Sequence, residues 1–460
     1  MVLPIPHFKT RTLSGLARLI GAGAVASALL TVAPAAHAQS ASTLLQGWTP
    51  AQQKTFYSED QGSRMIPLRW LQALKQADHK TPFLEGNLSR YGYLTNSLSE
   101  VANIPVGFTT PGGNKDDTIV GMTCSACHTR EIRADVNGTK TTIRIDGGPA
   151  IVDFHAFLKD LDAAVTYALN DGWTEFANAA TKSKNKTKLR KDVQTWYSSY
   201  HAIVSLGVPA QSWGFSRLDA VGMIFNRLTG LDLGDKADNY VLPGNIQQAD
   251  APVRYPFLWN AGRQDKTQWP GFTSQSSSLA PLGRNVGEVF GVFAHFNPKK
   301  SIFHPILGVD YWNVNSVQVK GLQTQEDLIT ILEPPKFPVS VAANEAGKTL
   351  YQQNCLTCHG LPTSTARASW VTPIQNVGTD AREWSVLGWQ ADPGVLTGAS
   401  IPSWLMKNSE VNAPLANPTG AIDTLQVAVL GTILQDLLPI LTDSPSAQKA
   451  VNGFTPEGAA

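Results

Sequence analysis

Residues 122–129 read MTCSACHT, and residues 355–359 read CLTCH. Both stretches contain the pattern C-x-x-C-H, and together they use all four cysteines of the 460-residue chain. A chain with so few cysteines, all placed in one repeated pattern, uses them for one purpose at two sites. The chemistry of that pattern therefore leads the interpretation of the whole sequence.

The first 38 residues are typical of an export signal. Basic residues precede an apolar run at residues 19–33, and Ala36-His37-Ala38 supplies a cleavage site with small residues at its two ends. We expect cleavage after Ala38 and a periplasmic or secreted mature protein. No later stretch reaches about 18 uninterrupted apolar residues, so we expect no membrane span in the mature chain.

The composition excludes several classes of protein. With 42% hydrophobic and 16% charged residues, the chain is globular and long enough for two or three domains. Its formal charge of +1 gives no reason to expect nucleic acid as a partner. The basic stretch at residues 182–191 is a solvated helix face or a docking patch for a redox partner.

The C-x-x-C-H pattern is the attachment signature of c-type haem. The two thiols add to the haem vinyl groups, and the adjacent imidazole becomes an axial ligand of the iron. A zinc site built from paired C-x-x-C units, or two redox-active dithiols, would not explain a histidine after both second cysteines. We therefore predict two covalently bound haem c groups. Their attachment residues and proximal ligands are Cys124, Cys127 and His128 for the first, and Cys355, Cys358 and His359 for the second.

The periodicity predicts a mainly α protein with long loops and few short strands, arranged as two cytochrome c-like haem domains. Apolar residues recur at helical spacing in residues 154–169, 218–228 and 421–441, whereas alternating runs such as residues 141–145 are few. Prolines near residues 334–338 end a helix and suggest a boundary. We expect an enlarged N-terminal haem domain at residues 39–333 and a C-terminal cytochrome c-like domain at residues 339–460.

Four phrases around the motifs resemble the dihaem cytochrome c peroxidase superfamily, and within it the rubber oxygenase branch. They are residues 121–129, Ile145-Asp146-Gly147-Gly148-Pro149-Ala150, Arg284-Asn285-Val286-Gly287-Glu288 and Val377-Gly378-Thr379-Asp380. Gly347 and Tyr351, ahead of Cys355, are similar to the opening helix of class I cytochrome c, which would pack against the last helix. The resemblance implies that the N-terminal haem reacts and the C-terminal haem transfers electrons.

The same resemblance suggests the reaction and the partners. It implies activation of hydrogen peroxide or dioxygen at the haem of His128, with an apolar organic substrate in the oxygenase case and a small redox protein as an electron partner. The alternative is a dihaem electron carrier without its own catalysis. A carrier needs little beyond two small cytochrome folds, so the large N-terminal part favours an enzyme.

The chain departs from the family pattern at its C-terminal end. The family carries a distal histidine for the second haem there, but no histidine follows His359. We expect either a chain shortened at its C terminus or another sixth ligand. Met406 is a candidate because a thioether is a common haem ligand, and its alternative is a packing role.

Other residues are candidates for contacts with the haems. The aromatic residues between 257 and 296 are interpreted as a distal wall of the first haem, with core packing as the alternative. Two arginines would pair with haem propionates, and two histidines would approach the first haem or serve structural roles. The candidates are Trp259, Trp269, Phe290 and Phe293, with Trp269 also placed between the haems; Arg263 and Arg284; and His155 and His295.

Overall fold

Helical residues outnumber strand residues in the computed structural model, in which about 44% of the described residues are helical and 13% are in strands. The structure describes residues 42–44, 46–115, 118–136, 138–274, 279–304, 306–336, 344–359, 374–407 and 409–443. The predicted export signal lies outside these ranges. The expectation of a mainly α protein is confirmed at the level of fold class.

Fourteen α-helices are present among the described residues, and most of them are short. They are α1 (Pro50–Ser58), α2 (Leu68–Ala73), α3 (Cys124–Cys127), α4 (Phe154–Leu169), α5 (Trp173–Ala180), α6 (Lys186–Ala202), α7 (Ala220–Leu231), α8 (Leu279–Gly291), α9 (Val319–Ile331), α10 (Glu345–Asn354), α11 (Leu356–His359), α12 (Arg382–Val386), α13 (Ser409–Asn412) and α14 (Ala421–Asp443).

The strands form small separate sheets. They are β1 (Ser42–Thr43), β2 (Ile66–Pro67), β3 (Phe108–Thr109), β4 (Ile119–Met122), β5 (Thr129–Val136), β6 (Thr139–Asp146), β7 (Arg217–Leu218), β8 (Val253–Arg254), β9 (Lys266–Thr267), β10 (Thr273–Ser274), β11 (Lys299–Lys300), β12 (Val309–Asp310), β13 (Gln390–Ala391) and β14 (Thr419–Gly420). Two sheets have three strands, in the orders β1-β6-β5 and β2-β4-β3, and the others are pairs. Only β1 and β6 pair in parallel within these sheets.

The three helical patterns identified in the sequence are present as helices. The first is α4, which begins after Asp153, whose carboxylate accepts a hydrogen bond from the Ala156 N–H at 2.9 Å. The second is α7, whose N-cap residue Asp219 accepts a hydrogen bond from the Gly222 N–H at 2.8 Å. The third is α14, which includes all of residues 421–441. Periodicity located these helices because each buries an apolar stripe.

The hairpin β5–β6 is longer than the sequence suggested. Each strand has eight residues, and Val136 pairs with Thr139 across the turn. Asn137-Gly138 is the residue pair that favours a two-residue hairpin connection, and Gly138 has the positive φ of +82° that such a turn requires. This hairpin starts directly after His128, so it fixes the chain that leaves the first C-x-x-C-H motif.

The C-terminal helix shares a core with the N-terminal part of the chain. Residues of α14 such as Val427 and Ile433 are fully buried together with Val286 and Phe290 of α8. Within the described residues, α14 packs mainly on α7 and α8 and α10 buries none of its side chains, so the expected packing of the opening helix of the second unit against α14 is not seen there. The physical reason is composition: α10 is mostly polar, whereas α7 and α8 offer continuous apolar surface. The division into two domains stays a prediction.

No helix within the described ranges is both long enough and apolar enough to cross a bilayer.

Candidate functional site

The first C-x-x-C-H motif forms one short helical turn. Cys124 and Cys127 begin and end α3, and the His128 N–H donates to the Cys124 carbonyl at 3.0 Å. The backbone of Gly107 packs directly against this turn. A larger residue would not fit at position 107, because its Cβ would lie 2.0 Å from the Ala126 nitrogen. The backbone therefore presents both thiols from the same turn, with the histidine immediately after them.

The His128 imidazole is oriented by a backbone carbonyl. Its Nδ1 lies 2.9 Å from the carbonyl oxygen of Pro256, which can only accept, so Nδ1 carries the hydrogen. This leaves Nε2 with a free lone pair, which is the arrangement of a metal-ligating histidine. Burial lowers the pKa of His128 to about 4, so the imidazole is neutral at pH 7, as ligation requires.

The two thiols are not activated as nucleophiles. Burial raises the pKa of Cys124 to about 12, with a smaller contribution from the negative charge of Glu288. Burial also raises the pKa of Cys127 to about 12. Redox-active dithiols and zinc-bound cysteines depend on thiolates, which these surroundings disfavour. The residues fit a role in which protonated thiols form thioether bonds.

A polar cluster lies beside Cys124, and we call it the α8–α9 polar cluster. In it, Arg284 pairs with Glu326 at 2.8 Å, and the Asn285 amide donates to the same carboxylate at 3.1 Å. The Gln268 amide donates to the Glu288 carboxylate at 2.9 Å. Arg284, expected to bind a propionate, is thus already held by a carboxylate of α9.

Glu288 combines access to solvent with a desolvated environment. Its side chain is 41% exposed, yet burial raises its pKa, with Arg284 opposing the shift and Glu326 adding to it. His295 shows the same combination, because its side chain is exposed while burial, followed by Arg227 and Arg64, lowers its pKa to about 4. The negative charge of Glu288 acts on both thiols and raises the pKa of each of them.

The aromatic candidates have different surroundings. Trp259 stacks on Phe257 with 4.9 Å between ring centroids and packs in the apolar cluster that also includes Cys124. Trp269 is 60% exposed, and its indole N–H donates to the Arg254 carbonyl at 2.8 Å, two residues before Pro256. Trp259 therefore belongs to the segment that contains Pro256, whose carbonyl orients His128, and Trp269 is hydrogen-bonded to that segment.

The two phenylalanine candidates lie deeper. Phe290 is fully buried, and its ring packs on that of Phe296 with 4.6 Å between the centroids. This arrangement corresponds to core packing, the alternative to a distal-wall role. Phe293 is also buried, stacks on Tyr200 and lies under the Arg227 guanidinium at 5.1 Å. Their roles in a distal pocket stay predictions.

His155 has a structural role. It is buried in α4, its Nε2 lies 2.8 Å from the Pro209 carbonyl, and its ring meets Trp213 edge-on. A ring nitrogen engaged in this way is satisfied by the core.

The second motif lies at the start of α11, directly after α10. Cys355 is half-buried, whereas the side chains of Cys358 and His359 and that of Arg263 lie outside the described residues.

Met406 is half-buried against the core formed by α8 and α14. Within the described part of the chain, no three His, Cys, Asp or Glu side chains converge as metal ligands. A c-type haem needs no such cluster, because one histidine and two thioethers hold it. Haem ligation by the second motif and by Met406 stays a prediction.

Two participants in this site were not identified from the sequence. The Pro256 carbonyl carries no sequence signal, because any residue has a carbonyl. Glu288 ends the phrase Arg284-Asn285-Val286-Gly287-Glu288, but its distance from Cys124 along the chain gave no sign that its charge acts on that thiol.

Comparison with known proteins gives one distant relative. The uncharacterized protein y4iJ of Sinorhizobium fredii is 29% identical over 398 residues of alignment, and the match covers 73% of this chain and 63% of the relative. The chain thus spans less than two thirds of the length of that relative. No protein-family model matches the sequence. No solved structure matches it either.

Proposed function

We propose that this chain is an exported dihaem c-type cytochrome and a haem-dependent oxidoreductase. The observation that carries the proposal is the His128 imidazole, which the Pro256 carbonyl orients beside two thiols of one helical turn. In this proposal Cys124 and Cys127 anchor the N-terminal haem and His128 is its proximal ligand. The second motif holds the haem that transfers electrons. A haem bound at the first motif supplies redox chemistry on peroxide or dioxygen.

The polar cluster supports peroxide as the oxidant. Cleavage of an O–O bond is helped by a group that accepts and returns a proton, and Glu288 offers a partly exposed carboxylate whose pKa is raised mainly by burial. Gln268 holds one oxygen of that carboxylate through its amide. The other oxygen would be available to accept a proton from hydrogen peroxide and to return it to the departing oxygen as water forms, with a haem at the first motif supplying the redox chemistry.

An apolar organic substrate is the second candidate, and it would be oxidised with dioxygen. The stacked pair Phe257–Trp259 supports it, because Phe257 is 48% exposed and Trp259 packs in the cluster that contains Cys124. Partly exposed aromatic rings beside a reactive centre bind hydrocarbon better than polar substrates.

The first test is a carbon monoxide difference spectrum of the fully reduced protein, with haem content measured on the same sample. We expect two haems per chain and carbon monoxide bound at one of them, since an enzyme needs one open iron position. Two haems without carbon monoxide binding would identify an electron carrier. A chain without covalent haem would refute the proposal altogether.

The choice of oxidant is tested by Glu288→Gln. This change keeps the size of the side chain and removes its ability to accept a proton. We expect peroxide turnover to fall at least about 100-fold, the range of a lost general base, while haem content and the carbon monoxide spectrum stay unchanged. Glu175→Gln is the control, because Glu175 is 62% exposed and lies on α5. Unchanged peroxide turnover in Glu288→Gln would rule out Glu288 as the group that transfers the proton, and peroxide turnover absent from the wild type would favour the dioxygen reaction.

A further inference from the structure

The hairpin β11–β12 holds an apolar tip away from the protein. Ile302 and Phe303 are each 87% exposed, and Ile306 on the same connection is 42% exposed. We call these three residues the hairpin tip. Two large apolar side chains exposed side by side are costly in water, because neither covers the other from solvent.

The hairpin is ordered by hydrogen bonds of its own. The Ser301 N–H donates to the Gly308 carbonyl at 3.0 Å, and the Gly308 N–H donates to the His304 carbonyl at 2.7 Å. The Phe303 N–H donates to the Ser301 hydroxyl at 3.3 Å. These bonds keep the backbone of the tip in place, so the apolar side chains cannot fold back without breaking them.

The base of the hairpin is anchored in the core. Leu307, Val309 and Tyr311 are buried, and the Tyr311 N–H donates to the Gln435 side chain of α14 at 2.8 Å. Gln435 in turn donates to Asp310 at 2.9 Å. The contrast between a buried base and an exposed tip shows that the tip projects from a rigid support.

Positive charge accompanies the tip. Lys299 and Lys300 are both exposed and immediately precede Ser301. The acidic residue of the hairpin, Asp310, accepts hydrogen bonds from Gln435 and the Trp312 N–H; it lies opposite Lys299 in the strand pair and 3.9 Å from the His304 imidazole, so Lys300 is the lysine without an acidic residue opposite it in the pair. Exposed lysines beside inserted apolar side chains are the pattern of segments that bind anionic membrane surfaces.

We propose that the hairpin tip docks this protein on an anionic lipid bilayer surface, with Ile302 and Phe303 in the interface and Lys299 and Lys300 on the headgroups. A tip of three apolar residues offers far less area than the roughly 800 Å² per partner of a stable protein interface. In a symmetric pair of copies, the lysines of both copies would face one another and repel. Shallow insertion into lipid requires neither a large protein interface nor the approach of two lysine pairs. This docking is independent of the proposed redox function.

The test uses the mature holoprotein in flotation with phosphatidylglycerol vesicles and with phosphatidylcholine vesicles. We expect binding to the anionic vesicles that weakens with salt, and much weaker binding to the neutral ones. Ile302→Ser/Phe303→Ser should lower partitioning at least about tenfold. Lys299→Gln/Lys300→Gln should lower it roughly 30-fold at low ionic strength, since each lysine contributes about a factor of five.

Matched controls are available elsewhere on the surface. Leu98→Ser/Leu206→Ser removes two other exposed apolar side chains, and Lys182→Gln/Lys184→Gln removes two other exposed lysines. Both should bind vesicles as the wild type does, and haem content should be equal in all variants. The proposal is overturned if the wild type binds neither vesicle or if the tip variants bind like the wild type. It is also overturned if light scattering shows a dimer that only the tip substitutions dissociate.

Discussion

His128→Ala is expected to abolish peroxide- or dioxygen-dependent turnover while the second haem stays attached. The substitution removes the side chain that the Pro256 carbonyl orients at 2.9 Å and leaves the thiols of Cys124 and Cys127 in place. Without its proximal ligand, the first haem loses the group that sets its iron chemistry. The measurement is turnover together with haem content per chain and the optical spectrum of each haem.

His79→Ala is the matched control for this experiment. His79 stacks on Tyr167 at 3.7 Å and has no contact with the motif. Its replacement should leave turnover and both haem spectra unchanged. Full turnover in His128→Ala would show that the reaction does not occur at the first motif, whichever oxidant is used.

Arg284→Leu is expected to destabilise the fold by about 3–5 kcal/mol, the cost of leaving a buried charge without its partner. Arg284 and Glu326 form an ion pair of 2.8 Å in which the side chains are only 10% and 9% exposed. Glu288 lies 3.9 Å from the same guanidinium, so a second carboxylate would lose its positive neighbour. The shift of the urea midpoint, followed by fluorescence, measures the effect.

Arg382→Leu is the matched control on the surface. Arg382 pairs with Asp250 at 2.6 Å, a shorter distance than in the buried pair, but these side chains are 41% and 46% exposed. Water screens such a pair, and the expected loss is below about 1 kcal/mol. Equal losses in both variants would contradict our assignment of the cost to burial.

The interpretation of the site from sequence was strongest where residues are close together along the chain. Cys124, Cys127 and His128 were identified together because their spacing is itself the signal, and the structure places them on one helical turn. Glu288 was not identified because 160 positions separate it from His128, and only the tertiary fold brings its charge close enough to raise the pKa of Cys124. The haem itself, at either motif, stays a prediction.

The same distinction applies to the fold. The periodicity located α4, α7 and α14 because an amphipathic pattern is local. The partner of α14 was predicted wrongly, since an apolar stripe specifies that a helix is buried and not which surface buries it. The structure selects α7 and α8, where Gly291 lets the two helices approach so closely that a Cβ there would lie 2.6 Å from Ile224.

The sequence by itself determined the helical character of the chain and the two C-x-x-C-H motifs, because both depend on residues within a few positions of each other. Only the tertiary structure decided that a carbonyl from residue 256 orients His128, and that the charge of Glu288 raises the pKa of the Cys124 thiol. It also decided that Phe290 belongs to the core while Ile302 and Phe303 project into solvent. These outcomes depend on contacts between segments far apart in the chain, and an aromatic or acidic residue has the same local signature whether it packs, reacts or docks.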